Sequence, residues 1–110
     1  MVNNYVLDEV FGALAGQPRR DIITHLQSGP HTMTELAQPL DMSLPALHKH
    51  IRVLERAGLI SRQKVGRQQL VHLESATLQD AMAWLEYHRQ FWNQQLDQLE
   101  VYITKKNGEV

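Results

Sequence analysis

Hydrophobic positions in residues 43–57 repeat with a helical period. Leu47, Ile51 and Leu54 fall at i, i+4 and i+7, which places them on one side of a helix. Ser43 is a preferred N-cap residue, and Gly58 follows the last periodic position, where helices often end in a left-handed residue. The pattern therefore predicts a helix over 43–57 with a narrow buried stripe, which we call the recognition helix.

Three shorter helices are predicted before the recognition helix. The first spans 8–15, with acidic residues in its opening turn, and the second begins at Pro18. Arg19 and Arg20 in that second helix are expected to pair with carboxylates such as Asp21 or to meet an external anion. The third spans 33–38 and begins with a capping box, Thr32 to Glu35. A short turn joins it to the recognition helix, so residues 32–57 are predicted to form a helix-turn-helix.

The pattern changes after Gly58. Residues 59–65 and 69–73 favour strands, and Gly66-Arg67 between them favours a turn, so a β-hairpin is predicted. Arg62 and Lys64 alternate on one face of the first strand, with Arg67 at the tip. Beside a cationic helix, such a hairpin is typical of a wing that touches DNA. The alternative is an ordinary exposed hairpin whose charges prevent edge-to-edge aggregation.

One long helix is predicted from 76 to 105. Apolar side chains follow alternating four- and three-residue steps, with Arg89 in the one polar place. The positions are Leu78, Met82, Leu85, Trp92, Leu96, Leu99 and Ile103. A chain of 110 residues is too small to cover so long a seam, which favours a second copy as partner over packing on its own core alone.

Charge is concentrated in one part of the chain. The net charge is −1, but residues 44–73 hold six basic residues against Glu55 alone, a local excess of +5. The outward side of the recognition helix carries Ala46, His48, Lys49, Arg52 and Arg56. A charged helix face is often only solvated, but small, ring-donor and cationic side chains together suit the major groove of DNA.

Composition restricts the other possibilities. There is no cysteine, so disulfides and thiolate metal sites are excluded, and no apolar run reaches the length of a membrane span. No secretory signal is evident, so a cytoplasmic location is expected. No phosphate loop, nucleophile elbow or zinc-protease motif is present, so the protein is not expected to be an enzyme or to need a cofactor.

Four stretches resemble the ArsR family of small bacterial winged-helix repressors. They are LAGQPRRDII (14–23), TELA (34–37), MSLPALHKHIRVLERAGLI (42–60) and VGR (65–67). The stretch 91–103 is similar to the last helix of a cysteine-free subgroup. The fold expected is mainly α with a small β-hairpin, in the order α-α-α-α-β-β-α. A single winged helix-turn-helix domain would then span 1–110, with its core over 8–75 and a dimerisation helix over 76–105.

The resemblance implies a homodimer that binds a palindromic double-stranded DNA operator and represses transcription. Its interface would use the first and last helices, adding Val10, Phe11 and Leu14 to the seam of the long helix. His48 stands where relatives commonly have serine, so the operator is not transferable. The DNA contacts expected are Ser43, Leu44, Ala46, His48, Lys49, His50, Arg52, Arg62, Lys64, Arg67 and Gln68. His50 could equally be a packing residue.

Three alternatives remain open. A winged-helix module that dimerises without specific DNA binding would have no need of the +5 region. A metal-responsive repressor would need ligands on the last helix, where Glu86 and His88 offer half a site but Leu99 and Tyr102 stand in the other half, so no metal site is expected. A small apolar ligand beside Trp84, His88 and Trp92 is a third possibility, and the sequence leaves any inducer unknown.

Overall fold

The computed structural model describes residues 4–108 and the side chains of 6–106. The helices described are α1 (Asn4–Leu14), α2 (Gln17–Leu26), α3 (Met33–Ala37), α4 (Leu44–Arg56) and α5 (Ser75–Gly108). The strands described are β1 (His31–Thr32), β2 (Ile60–Val65) and β3 (Gln68–Leu73). The recognition helix, the wing and the long last helix lie where the sequence predicts them.

Helix α1 begins earlier than predicted. It spans Asn4–Leu14 rather than starting at Asp8, so Asp8 and Glu9 lie in the middle of the helix and not in its opening turn. The reason is that Leu7 is buried one turn before the fully buried Val10, which extends the apolar side toward the N-terminus.

The two arginines that open α2 cap the end of α1. The Arg19 Nε donates to the Ala13 carbonyl at 2.6 Å, and an Arg20 Nη donates to the Leu14 carbonyl at 2.8 Å. Carbonyls at a helix C-terminus lack intrahelical partners and attract cations. The arginines therefore pair with backbone dipoles instead of the predicted carboxylates such as Asp21.

The helix-turn-helix forms as its caps predict. The Thr32 hydroxyl accepts from the Glu35 N–H while the Glu35 carboxylate accepts from the Thr32 N–H, which completes the capping box. These hydrogen bonds to Thr32 lower the pKa of Glu35. After the turn, the Ser43 hydroxyl accepts from the Ala46 N–H and caps α4. Gly58, with a φ of +76°, ends that helix.

The sheet has a third strand that was not predicted. Its order is β1-β3-β2, and the two residues of β1 pair antiparallel with Val71 and Leu70. A two-residue strand is too short to show alternation, so the predicted hairpin was incomplete. Gly66, with a φ of +63°, opens the two-residue turn between β2 and β3, as in a type II′ hairpin.

Helix α4 lies at the centre of the core. Leu47, Ile51 and Leu54 are fully buried, as predicted, among residues from the other helices and the sheet. The buried set also includes Val10, Ala13, Ile22, Leu26, Leu36, Leu59 and Val71. The buried side chains on the inward side of α4 therefore anchor the helix in the core. This anchoring holds the outward side in a defined orientation.

Helix α5 projects from this body. Its 34 residues span about 51 Å at 1.5 Å per residue. The radius of gyration is 19.7 Å, against about 13 Å for a compact domain of this length. Of its described side chains, only Ala81 is buried, and Leu78 is partly buried against the core. Most of the helix therefore lies beyond the region that the rest of the chain can cover.

Candidate nucleic-acid interface

The outer side of α4 carries a row of free cations. Lys49, Arg52 and Arg56 are exposed and lie at i, i+3 and i+7, so they follow one line along the helix. Within the described part of the chain, none of the three makes a side-chain hydrogen bond or an ion pair, whereas many other charged groups do. Their charges are therefore available to an external anion.

A groove joins the start of α4 to the wing. It encloses about 280 Å³ and is lined on one side by Leu44 and His48 and on the other by Arg67 and Gln68. Thr34 and Gln69 also line it, and neither was among the predicted DNA contacts. Those two residues come from segments distant along the chain, so only the tertiary fold brings them to this groove.

Arg62 does not have the free charge that was predicted for it. Its guanidinium donates two hydrogen bonds to the Glu55 carboxylate, at 2.8 and 3.0 Å, and a third to the Gln69 amide oxygen at 3.0 Å. The side chain is only 22% exposed. A bidentate, partly buried pair of this kind holds the wing against α4. The charge of Arg62 is therefore already paired with that of Glu55, and a contact between Arg62 and DNA stays a prediction.

His50 also lies away from the groove. An Arg19 Nη lies 3.5 Å from its Nδ1, so the ring is on the side of α4 that faces α2. Burial lowers the pKa of His50, and the nearby charges of Arg19 and Lys49 lower it further. This placement favours a packing role, so we leave His50 out of the proposed DNA contacts.

The other predicted contacts remain on one surface. Ser43, Leu44, Ala46, Lys49 and Arg52 are exposed on α4, and Lys64, Arg67 and Gln68 are exposed on the wing. Since Arg62 neutralises Glu55, the free charges are Lys49, Arg52, Arg56, Lys64 and Arg67. The surface thus offers five free cations along α4 and on the wing, and the start of α4 has small and apolar side chains.

The residues expected at a dimer interface divide into two groups. Val10 has no exposed surface because it lies in the core of its own protomer, so the prediction of an interface role for it is wrong. Phe11 and Leu14 are half-buried, and the Phe11 ring lies 5.9 Å from that of Trp84. On α5, Leu78 is partly buried. The remaining seam residues are 48–64% exposed: Met82, Leu85, Trp92, Leu96, Leu99 and Ile103.

The middle of α5 carries an open apolar groove of about 550 Å³. Met82, Leu85 and Trp92 line it, and the ring of His88 lies 4.1 Å from that of Trp84. Arg89, the polar member of the seam, is paired with Glu86 at 2.6 Å. Among residues 4–108, no three His, Cys, Asp or Glu side chains are placed to hold a metal ion. No helix in the same range is both long and apolar enough to cross a membrane.

Comparison with known proteins matches this architecture. The sequence model of a helix-turn-helix domain matches residues 19–63. The chain is 33% identical to the HTH-type transcriptional regulator Rv2034 of Mycobacterium tuberculosis, over 81% of this chain and 80% of that protein. The crystal structure of an ArsR family transcriptional regulator superimposes with a TM-score of 0.76 at 37% identity, covering 84% of this chain and 95% of that one. The chain belongs to the ArsR family of winged-helix transcriptional regulators.

This ArsR family member has a further relative whose name states a direction of control. It is 29% identical to the transcriptional repressor SdpR of Bacillus subtilis, over 72% of this chain and 88% of that protein. The resemblance inferred from the four sequence stretches is thereby confirmed, and so is the winged helix-turn-helix fold with a long C-terminal helix.

Proposed function

We propose that this ArsR family member is a homodimeric repressor that binds a palindromic DNA operator in the bacterial cytoplasm. The observation that carries the proposal is the single surface on which α4 and the wing bring together five free cations and the exposed start of a helix. Lys49, Arg52 and Arg56 follow one line on α4, and the wing adds Lys64 and Arg67, of which Arg67 lines the groove shared with Leu44 and His48. Such a row of cations matches the regularly spaced negative charges of the phosphates along a DNA strand.

The two elements have different tasks in this proposal. The first turns of α4, with Leu44, Ala46 and His48, enter the major groove, where base edges differ in donors, acceptors and methyl groups. The wing tip carries Arg67 to the neighbouring phosphates or minor groove. The ion pair between Arg62 and Glu55 fixes the angle between these elements, so both reach the same duplex.

The exposed seam of α5 supports a second copy as the partner. Six half-exposed apolar residues, from Met82 to Ile103, occupy the core positions of a heptad repeat. This pattern is typical of helices that pack against another helix. A two-fold dimer through α5 and α1 presents two copies of α4 to one face of DNA. The expected spacing between the two recognition helices is about 34–36 Å, or one turn of the duplex. The name of the relative SdpR supports repression rather than activation.

Selection of DNA from a random library by the full-length protein tests this proposal. We expect enrichment of an inverted repeat whose half-sites are about 10 base pairs apart, centre to centre. Enrichment of a single unrepeated site would contradict the dimer. No enrichment, with no binding at low salt, would overturn the DNA-binding role and leave a dimeric interaction module.

A further inference from the structure

The Arg62 guanidinium contacts the ring of His48 as well as the carboxylate of Glu55. Its Nε and one Nη bind the two oxygens of the Glu55 carboxylate, and its other Nη donates to the Gln69 amide oxygen. That same Nη lies 3.5 Å from Nδ1 of His48. An Nη carries two hydrogens, so one serves Gln69 and the other points to His48.

This contact determines which nitrogen of His48 carries the proton. A guanidinium has five donors and no acceptor, so it can hydrogen-bond only to a ring nitrogen with a free lone pair. Nδ1 of His48 is therefore the acceptor, and the ring hydrogen lies on Nε2. The tautomer of a histidine is set in this way by the partner of its other nitrogen.

The protonated nitrogen is free to meet DNA. His48 lines the groove between α4 and the wing, opposite Arg67 and Gln68, and one turn along α4 from Leu44. Nε2 forms no hydrogen bond to any residue within the part of the chain that the structure describes. In the complex proposed above, this groove faces the base edges.

We propose that His48 is a specificity-determining residue that presents a hydrogen-bond donor, and no acceptor, to the operator. The inference rests on the proposed function and deepens it. In the major groove, a lone donor fits purine N7, guanine O6 or thymine O4, whereas the amino groups of cytosine and adenine are donors and oppose it. Each half-site is expected to present an acceptor at the position His48 contacts.

Nuclear magnetic resonance of the 15N-labelled full-length protein tests the tautomer without DNA. We expect Nε2 of His48 to be protonated and Nδ1 to be unprotonated. In the paired variant Glu55→Gln with Arg62→Gln, which keeps the local net charge, the fraction with a proton on Nδ1 is expected to rise. A proton on Nδ1 of His48 in the unaltered protein would overturn the proposal.

Selection experiments with three variants test the specificity. For His48→Ala, we expect the base preference at one position in each half-site to fall about fivefold to tenfold, the value of one hydrogen bond. The paired variant Glu55→Gln with Arg62→Gln should weaken the base preference at the same position. Amide spectra of the core check that the fold of this variant is intact. Lys49→Ala is the matched control, expected to weaken binding to all sequences without changing any preference.

The outcomes separate this inference from the proposed function. If the unaltered protein enriches no motif, the proposed function fails and the specificity role of His48 fails with it. If it enriches a motif that His48→Ala retains unchanged, DNA recognition stands and only the role of His48 is overturned. A structure of the complex in which Nε2 of His48 faces the amino group of cytosine or adenine would also contradict it.

Discussion

The body of the protein, residues 4–74, and the helix α5 differ in how many of their large apolar side chains are exposed. In the described body, the large apolar side chains that remain exposed are Leu44 and Val65, one in the recognition helix and one in the wing. Over a shorter stretch, α5 exposes eleven, from Met82 to Ile103. The body is closed around its own core, whereas α5 has a face that none of the described residues covers.

This contrast implies a division of tasks. A closed core keeps α4 and the wing rigid relative to each other, which suits an element that must fit DNA. An uncovered heptad seam suits an element that joins two such bodies. Changes in the body are therefore expected to affect folding and DNA binding, and changes on the α5 seam to affect assembly.

The largest effect is expected from a cavity at the centre of the body. Ile51→Ala should lower the free energy of unfolding by about 2–5 kcal/mol. The Ile51 side chain is fully buried, and its neighbours can move to fill only part of the cavity that it leaves. Urea denaturation measures this loss. The control is Leu44→Ala on the same helix, where a 45% exposed side chain should cost much less. Equal losses at both positions would contradict the closed core.

A charge in the α5 seam should separate assembly from folding. Leu99→Glu is expected to raise the dissociation constant of the dimer at least ~100-fold, because a carboxylate would be buried among apolar side chains. Sedimentation measures the oligomeric state, and circular dichroism checks that the body stays folded. Gln94→Glu, on the opposite side of α5, adds the same charge as a control. A dimer that resists Leu99→Glu would place the interface elsewhere.

Removal of the wing-tip charge should affect DNA binding and leave assembly unchanged. Arg67→Ala is expected to weaken binding to all sequences and to reduce the slope of log affinity against log salt concentration by about one. Titrations at several salt concentrations measure the slope. If the variant instead changes the preference at a single base, the assignment of Arg67 to phosphates is wrong.

The smallest effect is expected from pH. Burial and the charges of Arg19 and Lys49 lower the pKa of His50 below its usual 6.5 in the folded state, so the unfolded chain binds the proton more readily. Stability from this group is complete above pH 6.5 and falls as the pH drops toward the folded pKa. His50→Gln should flatten that decline in urea titrations between about pH 7.5 and about pH 5.5. If stability declines equally in His50→Gln, groups other than His50 cause the decline.

Local signals were sufficient to predict most of the fold. The apolar period of α4, its Ser43 cap and the Gly66 turn each specify their own structure through neighbours in sequence. The heptad seam predicted α5 because the repeat is sustained over almost four heptads. Ala46, Lys49 and Arg52 are exposed on the outer side of α4 for the same reason: helical geometry assigns each position a direction.

Tertiary contacts account for what the sequence did not reveal. Strand β1 exists only because β3 passes beside His31 and Thr32, and two residues carry no period of their own. Arg62 is seven residues from Glu55, and its pairing depends on how the wing folds back onto α4. Val10 was assigned to an interface because an apolar residue looks the same in sequence whether a core or a partner covers it.

Binding of specific DNA by the cationic surface of α4 and the wing can be measured in one experiment. Fluorescence anisotropy would follow the full-length protein on labelled DNA from upstream of its own gene, with unlabelled random duplex as competitor, at two salt concentrations. We predict binding that survives the competitor and weakens steeply with salt. Absence of binding even at low salt would contradict the account.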